Sequence, residues 1–123
     1  MRNRKPKILI VDDEKGFTRL TKLVLSEYDI CEENNSARAL ETARTFQPDL
    51  ILLDVVMPDF DGGDIAAQIR AEPLLKRVPI VFVTAIVTEK ETEKRQLFGG
   101  FPFISKPVTP EKLVETIEKY LAD

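Results

Sequence analysis

Short apolar runs punctuate the chain at Ile8-Leu9-Ile10-Val11, Leu50-Ile51-Leu52-Leu53 and Ile80-Val81-Phe82-Val83, with a weaker one at Phe103-Ile104-Ser105. Continuous runs of this length, dominated by branched aliphatic side chains, predict strands buried on both faces. Residues 28–32 predict a further strand of moderate strength, because Asp29 and Glu32 interrupt it. Between these runs, apolar residues return at helical spacing. Phe17, Leu20, Leu23 and Val24 predict a helix reaching about residue 27. Ala37, Leu40, Ala43 and Phe46 predict a second, with Ser36 as its N-cap and Gln47-Pro48 as its stop. Ile65, Ala66 and Ile69 mark the inner face of a third. Thr109-Pro110 opens a closing helix whose stripe is Leu113, Val114, Ile117 and Leu121. Pro102, at the start of the weak last strand, suits a sheet edge, where a missing N–H harms no ladder. Residues 89–96 occupy the place of a fourth helix but carry no apolar stripe, so little would hold such a helix down.

The alternation reads as (βα)5, an α/β class chain with a doubly wound, five-stranded parallel sheet and helices on both faces. Nothing marks a linker, a repeat or a second domain, so residues 1–123 are expected to form one domain.

Composition narrows the chemistry. An apolar content of 43% and a charged content of 32% suit a soluble globular chain. The net charge of −3 argues against a nucleic-acid surface. The one basic cluster, Arg2, Arg4, Lys5 and Lys7, reads as a solvated tail. With no run of membrane-spanning length and no signal peptide, neither membrane nor export is expected. Cys31 is the sole cysteine, so no internal disulfide can form and a cytoplasmic setting fits. There is no histidine. Chemistry must therefore run on carboxylates, hydroxyls and lysine.

In an open parallel sheet, ligands bind beyond the carboxyl ends of the strands. This reading places Asp12, Asp13, Asp54, Thr84 and Lys106 there. Taken singly, each has a bland explanation: an aspartate caps the next helix, a threonine turns, a lysine is solvated. Together they form a site, because three carboxylates within about 5 Å repel by roughly 3 kcal/mol per pair at an effective dielectric near 20. A cation between them removes that cost. An all-oxygen donor set selects a hard ion, and Mg2+ fits best. Lys106 adds a second positive charge suited to a transient anion.

At this point four segments converge on one pattern: "ILIVDDE" (8–14), "PDLILLDVVMPDFDG" (48–62), "PIVFVTA" (79–85) and "SKP" (105–107). In their order and spacing the chain resembles the receiver domain of bacterial two-component response regulators, the single-domain chemotaxis type above all. The resemblance implies a flavodoxin-like fold and a phosphorylation-activated switch that catalyses only its own phosphorylation and dephosphorylation. It implies that Asp54 accepts a phosphoryl group from a histidine kinase or a histidine phosphotransfer protein. Asp13, Asp54 and the main-chain carbonyl of Val56 would hold Mg2+, with Asp12 binding it through water. Thr84 and Lys106 would meet the phosphoryl oxygens, and Phe103 would stand at the family's rotating aromatic position. The output partner would read the last two helices and last strand, and phosphorylation could drive homodimer formation.

Two departures and two rivals frame these expectations. Phe103 lacks the hydroxyl of the common tyrosine, and Gly100 stands where the family favours alanine. Val56 and Ile86, two beyond Asp54 and Thr84, offer no polar group to orient an attacking water, so a long-lived phosphoryl group is expected. A dehalogenase-like phosphohydrolase would need a second carboxylate two residues after its nucleophile, where Val56 stands. A flavodoxin-like cofactor binder would need a phosphate loop after the first strand, where Asp12-Asp13-Glu14 repel an anion.

Overall fold

The computed structural model describes residues 4–54, 56–57, 60–84, 97–98 and 101–122, with 56–57, 60–63, 84 and 97–98 described by their backbone. Segment 89–96, Ile86 and Gly100 lie outside the described residues. In chain order the strands are β1 (Lys7–Val11), β2 (Asp29–Glu33), β3 (Leu50–Leu53), β4 (Val56–Met57), β5 (Phe60–Asp61), β6 (Ile80–Thr84), β7 (Leu97–Phe98) and β8 (Phe101–Ser105). The described α-helices are α1 (Lys15–Val24), α2 (Ala39–Phe46), α3 (Gly62–Arg70) and α4 (Pro110–Leu121).

The main sheet runs β2-β1-β3-β6-β8-β7. Its first five strands are parallel, and β7 adds a two-residue antiparallel edge to β8. The five expected parallel strands are thus all present. The chain leaves β1 for β2 on one side and crosses to β3 on the other, which makes the β1/β3 crevice the point where strand order reverses.

Strand parity divides the core in two. Leu9, Val11, Ile51, Leu53, Ile80 and Phe82 face α2 and α3, packing on Ala39, Ala43, Ile65, Ala66 and Ile69. Ile8, Ile10, Leu50, Leu52, Val81 and Val83 face α1 and α4, packing on Leu25, Leu113 and Ile117. Alternate residues of the same strand therefore feed opposite layers, which is why these runs are apolar throughout.

Three sequence expectations are corrected. In α1 the apolar stripe points outward: Leu20, Leu23 and Val24 are 61%, 69% and 45% exposed. The buried face is Thr18, Thr21 and Leu25, with Phe17 half-buried. The threonines can be buried because their hydroxyls are satisfied: Thr21 Oγ1 donates to the Phe17 carbonyl at 2.8 Å, and Thr18 Oγ1 to Glu32 Oε1 at 3.0 Å. Ahead of the second helix, Asn35 rather than Ser36 is the capping side chain, and it caps a 3₁₀ turn rather than α2 itself. Its Oδ1 accepts from the Ala37 N–H at 3.0 Å, a 3₁₀ turn (Ser36–Arg38) follows, and Ala39 replaces Ala37 on the inner face. The stop at Pro48 holds, with Gln47 leaving the helix at a φ of 52°.

The basic N-terminus is not simply solvated. Arg4 pairs with Asp49 at 2.9 Å, while Lys5 Nζ donates to the Ser26 carbonyl and Lys7 Nζ to the Phe46 carbonyl. These carbonyls lie at or just beyond the ends of α1 and α2, where backbone acceptors lack helical partners. Among the described residues, no helix is long and apolar enough to cross a membrane.

Candidate functional site

Neighbouring strands carry the acidic residues to one rim. Asp12 follows β1, its N–H donating to the Glu33 carbonyl at 3.1 Å. Asp54 follows β3, its N–H donating to the Val11 carbonyl at 2.9 Å. These bonds extend the parallel ladders by one residue and hold both aspartates at the end of the β1/β3 crevice. Asp12 is 1% and Asp54 6% exposed, whereas Asp13 is open to solvent. Oxygen atoms of the three carboxylates lie within 4.8 Å of one another. At an effective dielectric near 20, each pair at that range repels by about 3 kcal/mol. Two deep carboxylates and one at the mouth form an oxygen-only set open on one side, which fits a hard divalent ion that keeps part of its water.

Lys106, directly after β8, reaches the same rim. Its Nζ donates to Asp12 Oδ2 at 2.7 Å and to Glu14 Oε1 at 2.6 Å, and stands 3.9 Å from Asp54 Oδ2. The ammonium also lies 4.7 Å from the centroid of the Phe17 ring. Burial works against its charge, but the hydrogen bonds to Asp12 and Glu14 and the charges of Asp12 and Asp54 outweigh that, and the Lys106 pKa is raised. Asp12 is braced from both ends. Its Oδ1 accepts from the Glu14 N–H at 3.0 Å, and its carbonyl accepts from Asn34 Nδ2 at 2.8 Å.

The remaining predicted residues sit around this group. Thr84 ends β6 in register with Ser105 of β8, which brings its backbone to the same edge as Lys106. Val56 opens the small β4–β5 hairpin, opposite Asp61, two residues past Asp54. Phe103 lies inside β8 opposite Phe82, half-buried against the α2/α3 layer. Glu14, Phe17 and Asn34 were missed by the sequence reading. Glu14 could have been suspected from its place beside the aspartate pair. Asn34 gave no signal, because its role depends on β2 lying next to β1.

A crevice at the strand-order switch, three carboxylates at its floor and mouth, and a lysine delivered by the last strand define a class of signalling switch. The chain belongs to the response regulator receiver domain family, whose pattern it matches over residues 8–118. Members of this family act in two-component signalling and interact with histidine kinases or phosphotransfer proteins. The chain is 30% identical over 118 residues to the polar-differentiation response regulator DivK of Brucella anthropi, covering 94% of this chain and 96% of that protein. Among solved structures, a putative response regulator from Chloroflexus aurantiacus superposes with a TM-score of 0.81 at 29% identity, covering 97% and 100% of the two chains. The Vibrio cholerae chemotaxis protein CheY4 gives 0.80 at 25% identity, covering 94% and 98%.

Proposed function

We propose that residues 1–123 form one receiver unit in which Asp54 accepts a phosphoryl group from the phosphohistidine of a histidine kinase or histidine phosphotransfer protein. The observation that carries this reading is the convergence of Asp12, Asp13 and Asp54 within 4.8 Å, with Lys106 at 3.9 Å from Asp54. A carboxylate oxygen of Asp54 attacks phosphorus, the P–N bond breaks, and the imidazole leaves with the electron pair. As a carboxylate nucleophile, Asp54 carries no proton that a general base would have to remove. Burial at the end of β3 fixes its position, which is most of what phosphoryl transfer asks of a protein.

Asp13, Asp54 and the main-chain carbonyl of Val56 are the groups we assign to Mg2+, with Asp12 acting through water. The ion would neutralise charge on the transferring phosphoryl oxygens. Lys106 and the Thr84 hydroxyl are assigned to those same oxygens. Movement of Thr84 toward them would free space for Phe103, changing the face formed by β8 and α4. That face is the proposed contact for an output partner or a second copy of the chain. A cytoplasmic location goes with kinase partnership and with the free thiol of Cys31.

Acetyl phosphate with Mg2+ should add one phosphoryl group, read by intact mass, and Asp54→Asn should take none. Labelling of the Asn variant equal to that of the parent would overturn the assignment. Turnover of the phosphodonor without a stable adduct would favour a phosphohydrolase instead.

A further inference from the structure

Lys106 gives its hydrogen bonds to Asp12 and Glu14 and stands 3.9 Å from Asp54. Its two hydrogen bonds, to Asp12 and Glu14, are short and charge-assisted, whereas the 3.9 Å separation from Asp54 Oδ2 is an ion pair without a hydrogen bond. We infer that Glu14 is a positioning residue that draws Lys106 away from Asp54 and must release it when Asp54 is phosphorylated. The inference rests on Asp54 being the phosphoryl acceptor.

The two carboxylates that hold the ammonium differ in how readily they let go. Asp12 is buried, and its second oxygen is occupied by the Glu14 N–H. It cannot turn away without stranding a buried charge. The Glu14 side chain is 63% exposed. Water replaces the lost ammonium at little cost, so this contact is the exchangeable one. The Phe17 ring lines the ammonium's position and supports it during the exchange. A phosphoryl group on Asp54 brings up to two negative charges and three acceptor oxygens, a stronger attractor than one solvated carboxylate. Lys106 then keeps Asp12, loses Glu14 and turns to the phosphoryl oxygens. Glu14 thus biases the protein toward its unphosphorylated state by occupying the cation that the phosphorylated state requires.

The test is a double-mutant cycle on the phosphorylation rate with acetyl phosphate, beside the Nζ resonance of 15N-lysine-labelled protein without phosphodonor or metal. Glu14→Gln keeps an acceptor but removes the charge. It should accelerate phosphorylation about two- to fivefold, the factor equivalent to one exposed ion pair. In the Lys106→Ala background the same substitution should change the rate by less than about 1.5-fold, because the effect passes through Lys106. The Lys106 Nζ resonance should move in Glu14→Gln and stay in place in the control Glu111→Gln. An acceleration that persists without Lys106 would mean simple repulsion between Glu14 and the incoming anion, and would overturn the inference. So would an unmoved Nζ resonance, which decides the matter if Lys106→Ala proves too slow to measure. Asp54→Asn runs in parallel: labelling there refutes the acceptor assignment, whereas an inert Asn variant with an unaccelerated Gln variant refutes the role of Glu14 alone.

Discussion

The Tyr28 hydroxyl donates to Glu118 Oε2 across 2.5 Å, joining residues 90 apart in the chain and tying the entry of β2 to α4. Tyr28 is 7% exposed, and its ring belongs to the layer beneath α1 and α4. Burial first, then the hydrogen bond and charge of Glu118, raise its pKa well above the ordinary phenol value. A group whose pKa is raised on folding lends stability that is complete below its unfolded value, about 10, and is lost as pH climbs through the folded value. The urea midpoint of the parent should therefore fall more steeply above about pH 10 than that of Tyr28→Phe. At pH 7 the phenylalanine variant should be about 1 kcal/mol less stable, the worth of one such hydrogen bond. Parallel curves across the alkaline range would remove the contact from the account.

Repulsion among Asp12, Asp13 and Asp54 gives the acidic rim its own stability signature. Asp13 is the solvent-facing member, so its removal should leave the packing intact. Asp13→Ala should match or exceed the parent's melting temperature in EDTA, through relief of like-charge repulsion. Adding MgCl2 at about a hundredfold excess over its Kd should stabilise the parent by roughly 2.7 kcal/mol and the variant by much less. Equal Mg2+-induced shifts in the two proteins would exclude Asp13 as a ligand.

Leu23 in α1 and Leu25 at its C-terminal cap should respond differently to substitution. Leu23 is 69% exposed and Leu25 only 2%. Leu23→Ser should change unfolding free energy by no more than about 0.5 kcal/mol. Leu25→Ala should cost about 2–5 kcal/mol, because it opens a cavity in the buried layer that also holds Ile10 and Ile30. Chemical denaturation of both variants checks the orientation of the helix.

Phosphoryl lifetime is expected to depend on the residues two beyond Asp54 and Thr84. Val56 and Ile86 can neither donate nor accept a hydrogen bond from their side chains, and an ordered water needs two to four polar partners. Replacing Val56 by Asn together with Ile86 by Glu should shorten the lifetime by about tenfold, equivalent to roughly 1.4 kcal/mol of barrier. Decay of the phosphorylated species, followed by intact mass after donor removal, measures it. An unchanged decay rate would show that these two side chains do not control hydrolysis.

Strands β1, β3 and β6 were legible from single runs of sequence, because a strand covered on both faces must be apolar at consecutive positions. Asp12, Asp13, Asp54 and Lys106 were legible for the same reason: each stands just past a predicted strand, and strand ends in a parallel sheet share one rim. The orientation of α1 was not legible. Phe17, Leu20, Leu23 and Val24 make as good a helical stripe as Phe17, Thr18, Thr21 and Leu25. The choice fell to the packing of Leu25 on the sheet and to Glu32, Asn34 and the helix's own carbonyls, which satisfy the threonine hydroxyls. The β4–β5 hairpin and β7 also escaped the pattern, since two-residue pairings carry no periodicity. The partition of Lys106 between Asp12, Glu14 and Asp54 was decided by tertiary structure alone. It brings together side chains more than 90 residues apart at two of its contacts, and the hydrogen bonds at 2.7 and 2.6 Å are told from the bare ion pair at 3.9 Å only by where the closed sheet sets each carboxylate. Local sequence encodes burial and strand ends because these depend on neighbours in the chain; which charge holds which depends on distances that only the closed sheet sets.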